Sequence, residues 1–254
     1  MYSSNDLREA IEAGQLRVLY QPQLTADGSK IVSVEALVRW AHPVHGLLGP
    51  GHFVPLAEKT GVIIELGESV LRQACLDAKR WPDLNIGVNV SPLQFRDPAY
   101  AEKLEQIVRE SGLPFERLEL EIVESSYFDD PEKADKVLRR IRELGIKIAL
   151  DDFGTGYSSL SCLLRLPLDR IKIDRSFVSG IDKVRSASIV HAIIALARAI
   201  GLKVTAEGIE TEEQQKFLRA AGAHLLQGFL FSTPVPAERI DLLLASSQPV
   251  RGIS

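Results

Sequence analysis

A chain of 254 residues suits one α/β barrel, which needs roughly 250 residues with its loops, and its 45% hydrophobic and 25% charged content can bury a core that offsets chain entropy without staples. The net charge of −4 excludes the basic face with which proteins hold long DNA or RNA by neutralising many phosphates, yet it allows a small anion held through metal ions. No basic and apolar leader opens the chain and no run of about 20 apolar residues occurs in it, so a cytoplasmic domain without direct membrane insertion is expected.

In chain order, residues 16–21 and 30–40 are two apolar runs separated by a turn containing Asp27-Gly28. Asp-Gly between such runs predicts an antiparallel hairpin. Ile63, Leu66, Val70, Ala74 and Ala78 recur at helical spacing and stop at Trp81-Pro82. A short strand over 86–90 precedes a helix carrying Leu104, Ile107 and Val108 that closes at Ser111-Gly112. Strand 118–123 precedes a helix carrying Ala134, Val137, Leu138, Ile141 and Leu144, with Gly145 as its stop. Strands follow at 146–151 and 169–174, then a helix through Ile189, Val190, Ile193, Leu196, Ala197 and Ile200 ended by Gly201, a strand at 202–207, a helix around Phe217 and Leu218, and a strand at 223–228. Strands separated by helices pair in parallel through right-handed crossovers. A (β/α)8 TIM-like barrel with one antiparallel strand near its N-terminus is the expected fold, over an open doubly wound sheet, and residues 1–254 form one domain.

The polar residues fall at strand ends. Asn89 ends 86–89, Glu121 and Glu124 close 118–124, Asp151 and Asp152 end 148–152, Lys172 lies within 170–174, Glu207 ends 204–207 and Gln227 closes the last strand. In a barrel those ends converge on the face where chemistry is done. Each alone reads equally as a helix cap or a solvated loop residue. Together, Glu121, Asp151, Asp152 and Glu207 could not all stay ionised without a partner. Oxygen donors favour Mg²⁺ or Mn²⁺ over zinc, and a metal pair suits phosphodiester hydrolysis. No phosphate-cradling loop or Ser-His-Asp arrangement competes. His42, His45, His52, His191 and His224 lack metal-ligand spacing, and Cys75 and Cys162 are expected as buried thiols. Asp152-Phe153-Gly154 resembles a kinase motif without its companion loops, and opens a Gly- and Ser-containing segment, 154–159, beside the carboxylates.

Nine ordered motifs give the chain a resemblance over almost its full length to the EAL cyclic di-GMP phosphodiesterases. They are Tyr20-Gln21-Pro22, Glu35-Ala36-Leu37-Val38-Arg39-Trp40, Phe53-Val54-Pro55-Leu56-Ala57-Glu58, Asn89-Val90-Ser91, Glu121-Ile122-Val123-Glu124, Asp151-Asp152-Phe153-Gly154-Thr155-Gly156-Tyr157, Lys172-Ile173-Asp174, Glu207-Gly208-Ile209-Glu210 and Gln227-Gly228. The resemblance implies hydrolysis of cyclic di-GMP to linear 5′-pGpG, with a non-enzymatic cyclic di-GMP receptor as the alternative. It implies that Glu35, Asn89, Glu121 and Asp151 hold one Mg²⁺ or Mn²⁺ ion, and Asp151 and Asp152 a second. Glu207 would hold the attacking water at the metals, with Lys172 and Gln227 beside it. Gln21, Arg39 and Asn89 would contact substrate, Glu124 would anchor the 152–159 loop, and Glu210 would support it. A homodimer, and sensory or cyclase domains outside this chain, are further implications. Gly222-Ala223-His224 and Phe229 depart from the family's common Gly-Cys-Asp and Tyr, which touches fine positioning and not metal binding.

Overall fold

The computed structural model describes residues 2–97, 99–123, 131–154, 163, 165–246 and 252, without the side chains at 131 and 133. The chain opens with a helix that the hydrophobic pattern did not announce, α1 (Ser4–Glu12), started by a capping box in which Ser3 Oγ accepts from Asp6 N and Asp6 Oδ2 accepts from Ser3 N. The expected hairpin follows as β1 (Leu16–Thr25) and β2 (Ile31–His42), with β3 (Gly46–Leu48) folded back on β2. Its turn is closed by Asp27 Oδ1, which accepts from Thr25 Oγ1, Ser29 N and Ser29 Oγ, while Gly28 supplies the positive φ.

The remaining elements are α2 (Val54–Thr60), α3 (Ile63–Ala78), β4 (Asn85–Val90), α4 (Tyr100–Ser111), β5 (Leu118–Val123), α5 (Pro131–Glu143), β6 (Lys147–Phe153), β7 (Arg170–Ile173), α6 (Arg175–Val178), α7 (Val184–Ala199), β8 (Lys203–Ala206), α8 (Glu212–Ala221), β9 (Leu225–Leu226) and α9 (Ala237–Ala245). Gly112 and Gly145 follow their helices at positive φ, as left-handed stops require. The strands pair in the order β1-β9-β8-β7-β6-β5-β4-β2, and β1 also pairs with β2, so the sheet closes on itself. This is the expected barrel, and closure rules out the open sheet. Only β1 runs antiparallel to its barrel neighbours.

Side chains alternate with period two along each strand. Leu118, Leu120 and Ile122 of β5, Ile171 and Ile173 of β7, and Val204 and Ala206 of β8 are buried in the hydrophobic core. The other set is polar. A barrel of this type usually fills its interior with branched aliphatics, whereas here Arg170 Nε donates to both carboxylate oxygens of Glu119 at 3.0 Å and Arg170 Nη1 donates to Thr205 Oγ1 at 3.1 Å, all three residues being buried. Ala149 of β6, in register with both Glu121 and Arg170, leaves room for side chains of β5 and β7 to meet across it.

Cys75 is a buried free thiol whose pKa burial pushes up to about 12, in keeping with an inert core position; Cys162 lies outside the described residues. His42 and His224 accept backbone N–H groups through Nδ1, the first from Val44 and His45 and the second from Val204. No helix among the described residues is long and apolar enough to cross a membrane.

Removing one partner of a buried ion pair strands the other charge, which costs about 3–5 kcal/mol. Arg170→Met is therefore expected to lower the urea-unfolding free energy by about that amount, and the double variant Glu119→Leu/Arg170→Met to recover most of it.

Candidate active site

Parallel strands present their C-terminal ends on one face, and there the lumen carries carboxylates around a single ammonium. Lys172 of β7 is 1% exposed. Its Nζ lies 2.6 Å from Glu121 Oε2, 2.6 Å from Glu207 Oε1, 3.3 Å from Asp151 Oδ2 and 3.4 Å from Glu35 Oε2. Burial alone would lower the pKa of this ammonium, but the charges of Asp151, Glu121, Glu207 and Glu35 outweigh it and hold the group well above the usual lysine value.

The carboxylates diverge according to their surroundings. Burial would raise Glu35, yet Lys172 and the hydrogen bonds from Gln227 Nε2 at 2.6 Å and Asn89 Nδ2 at 2.8 Å bring it below its ordinary value. Glu121 is pushed well above the carboxylate range by burial and then by the neighbouring charge of Glu35. Burial chiefly lifts Glu207 to about 8. Its Oε1 makes the close ion pair with Lys172 but no aligned hydrogen bond.

Asp151 and Asp152 are consecutive, and in a regular strand they would face opposite ways. The pairing of β6 with β7 passes from Leu150↔Ile171 to Phe153↔Ile173, so these two aspartates together oppose Lys172 as a β-bulge. Asp152 has φ +53, the only positive value outside glycine among the described residues, and its N–H donates to Asp151 Oδ1 at 2.9 Å. Partial burial of the Asp152 carboxyl, followed by the charges of Asp151 and Asp174, raises its pKa.

Glu35, Glu121 and Asp151 each bring one oxygen within 4.8 Å of the others. Glu121 Oε1 is buried without a hydrogen-bond partner among the described residues. Fully ionised, the five carboxylates, Asp152 and Glu207 included, would leave four negative charges against the one lysine, the charge that two divalent cations would balance; without cations the raised pKa values of Glu121 and Glu207 keep part of that charge neutralised by protons. An orphaned oxygen in an all-oxygen set fits a hard divalent cation.

One residue that sequence reasoning passed over makes the arrangement sterically possible. A Cβ built at Gly87 would run into Glu121 Oε1, so only glycine leaves that carboxylate its place. The signal was legible, since a glycine inside a strand marks a close approach.

The structure gathers Glu35, Glu121, Asp151, Glu207, Lys172, Asn89 and Gln227 at one point. Gln21 joins from β1, accepting from Gln227 Nε2 at 2.9 Å. Arg39 and Glu210 line a cleft of about 300 Å³ that opens onto the acidic cluster, sharing it with Glu35, Glu207, Gln21 and Gln227. Burial lowers the Arg39 pKa, and its Nη1 donates to Val38 O at 2.8 Å. On the other side of Glu35 a second cleft, about 310 Å³, is lined by Val54, Glu58, Asn89 and Ser91, with Ser91 Oγ donating to Glu58 Oε1 at 2.8 Å. Glu124 and residues 155–159 lie outside the described residues.

Residues 4–234 match the family model described as EAL domain. MucR of Pseudomonas aeruginosa, a bifunctional diguanylate cyclase/cyclic di-GMP phosphodiesterase, is 45% identical over 242 residues, covering 93% of this chain and 35% of MucR. PdeR of Escherichia coli, a cyclic di-GMP phosphodiesterase, is 40% identical over 242 residues, covering 93% of this chain and 36% of PdeR. A solved structure described as the PaMucR phosphodiesterase in complex with c-di-GMP superposes with a TM-score of 0.89 at 45% identity, over 93% of this chain and 98% of that one. The chain spans about a third of the length of the curated relatives it matches.

Two outcomes follow from this geometry. Glu207 has a pKa of about 8 in the folded chain against an ordinary 4.5, so between those values the folded state holds a proton that the unfolded state has released. Stability of the metal-free chain is expected to fall as pH rises through that window. Glu207→Gln should make the thermal midpoint fall less steeply with pH; the slope should not vanish, because Glu121 is shifted the same way. Gly87→Ala is expected to displace Glu121 and cost about 1–3 kcal/mol of overpacking, measured by chemical denaturation.

Proposed function

The chain belongs to the EAL domain family, and from that premise we propose that it hydrolyses one phosphodiester bond of cyclic di-GMP to give linear 5′-pGpG. The observation that carries this reading is the meeting of Glu35, Glu121 and Asp151 oxygens around Lys172 at the mouth of the barrel. Glu35, Asn89, Glu121 and Asp151 would hold one Mg²⁺ or Mn²⁺ ion, and Asp151 and Asp152 a second. When bound, such a pair supplies Lewis acidity at the phosphodiester and lowers the pKa of water for in-line attack.

The protein's own groups divide the remaining work. Glu207 would hold the attacking water at the metals and take its proton; its pKa of about 8 is that of the metal-free chain, and bound cations would lower it so that the carboxylate is ionised near neutral pH. Lys172 places a fixed positive charge where charge develops on the phosphate oxygens. Gln227 and Asn89 hold the two oxygens of Glu35 in one orientation. Arg39, a planar donor suited to phosphate, and Gln21 line the cleft on one side of Glu35 and would contact the substrate there. Asn89 lines the cleft on the other side and would contact it from there. Glu124 and Glu210 would support the 152–159 loop.

Residues 1–254 would act as one catalytic domain in the cytoplasm, as a homodimer, joined to sensory or cyclase domains in a longer protein. The chain's share of MucR, whose name includes a diguanylate cyclase, supports that last point.

Incubation with cyclic di-GMP, followed by anion-exchange chromatography, tests the reading. Product pGpG is expected with Mg²⁺ or Mn²⁺ and none with EDTA. Glu35→Gln and Asp151→Asn should each reduce turnover by at least the roughly 100-fold that loss of a supporting group at a metal site can cost. Tight binding in EDTA with no product under any condition would instead make the chain a receptor.

A further inference from the structure

We propose that Gln23 is a positioning residue, which holds the Gln227 side chain in place and through it the carboxylate of Glu35. Gln23 is two residues along β1 from Gln21 and so projects to the same face of the strand, where it is 1% exposed. Its Nε2 donates to Gln227 Oε1 at 2.9 Å. Gln227 Nε2 in turn donates to Glu35 Oε2 at 2.6 Å and to Gln21 Oε1 at 2.9 Å, and Gln21 Nε2 donates to Ser232 O at 3.0 Å. The donors therefore run in one direction, from Gln23 through Gln227 to the carboxylate.

Backbone contacts fix the base of Gln227 but not its tip. Its N–H donates to Ala206 O and its C=O accepts from Ile209 N, while the next residue, Gly228, lies so close to the Ile209 backbone that no other residue fits. The amide at the end of the side chain still needs a donor for its buried Oε1, because a buried acceptor left unpaired draws the side chain toward whatever can satisfy it. Gln23 is that donor.

The arrangement carries a cost that core packing alone would not accept. Gln23 Oε1 is itself buried with no hydrogen-bond partner among the described residues. An apolar side chain of the same length would fill the space without an orphaned oxygen. Keeping an amide there makes sense for the bond it donates, since linked hydrogen bonds polarise and strengthen one another in a low-dielectric interior. Glu35 is then gripped at both oxygens, by Asn89 on Oε1 and Gln227 on Oε2. The effect on metal holding rests on the function proposed above, whereas the effect on Gln227 does not.

The test uses the full chain and Gln23→Met, which keeps length and removes the donor, with Gln23→Leu as a second variant should the first fold poorly. In metal-free protein, proton exchange at the Gln227 side-chain amide, followed by NMR, is expected to quicken at least about 10-fold, while the thermal midpoint changes little, because removing the orphaned Gln23 Oε1 offsets the Gln227 Oε1 newly left unpaired. Titration with Mn²⁺ alone is expected to show affinity weakened about 10-fold, the scale of losing a supporting partner at a metal site. Unchanged Gln227 exchange, or a lowered thermal midpoint with unchanged exchange, would overturn the assignment and leave Gln23 a packing residue. If the unmodified chain takes up no Mn²⁺, the metal reading fails, and the amide exchange still decides for or against Gln23.

Discussion

Lys172 meets four carboxylates only because several strands hold their register at once. Glu121 reaches it across β6, where Ala149 leaves room, Asp151 arrives on a bulge, and Glu35 comes from β2 on the far side of β4. Shifting any one of these strands by a residue would turn its polar set into the aliphatic layer and bring apolar side chains such as Val34, Leu120 or Leu150 into the lumen. Charge pairing and strand register are in this sense the same constraint. The apolar face of each strand is fixed by the helices, and the charged face can then only be where it is.

The ammonium does not stand alone. One step down the lumen, Arg170 binds Glu119 and Thr205 in the positions two residues before Lys172, Glu121 and Glu207. Two layers of opposite charges are stacked along the same strands, the lower closed and fully paired, the upper open at the barrel mouth. The lower layer is structural by its burial. The upper one has spare negative charge and an orphaned oxygen, and that surplus sets it apart as a place for ligands.

Much of this was legible in the residues and some was not, for physical reasons. Strand 118–123 was read to the residue, because Leu118, Leu120 and Ile122 alternate with Glu119 and Glu121 at the period of a strand. Helices α3, α4, α5 and α7 carried strong apolar periodicity and a proline or glycine stop. Helices α1, α2, α6 and α9 escaped notice: α2 and α6 are only 7 and 4 residues long, and α1 takes its start from the Ser3 cap and not from an apolar stripe. Strand 223–228 shrank to Leu225–Leu226 because, although Gln227 N–H still bonds to Ala206 O of β8, its C=O and the following chain bond to Ile209 of the loop after β8. At the site, the carboxylates were found by position at strand ends. Gly87 and Gln23 were not, since one acts through the absence of a side chain and the other through a neighbour. The charge of Arg170 was invisible as a lumen group, because periodicity tells which residues share a face and not which face is wet.

The closing strand deserves a mechanical reading. β9 joins β1 through only two register pairs, Leu24↔Leu226 and Thr25↔Leu225, with the bridge Tyr20↔Val235 beyond them. β9 meets β8 through only two pairs as well, Thr205↔Leu225 and Ala206↔Leu226, so the barrel is stitched along most of its circumference and merely basted on both sides of β9. Local opening is cheapest where fewest ladder bonds must break, so breathing motions of the cylinder concentrate there. Gln227 follows β9 itself, with Gln21 on the β1 side and Glu207 at the end of β8 on the other. A transient gape of the wall beside β9 would reach Gln21, Gln227 and Glu207 before it reached Glu121 or Asp151, and the speed at which the wall closes again becomes a property of the site itself.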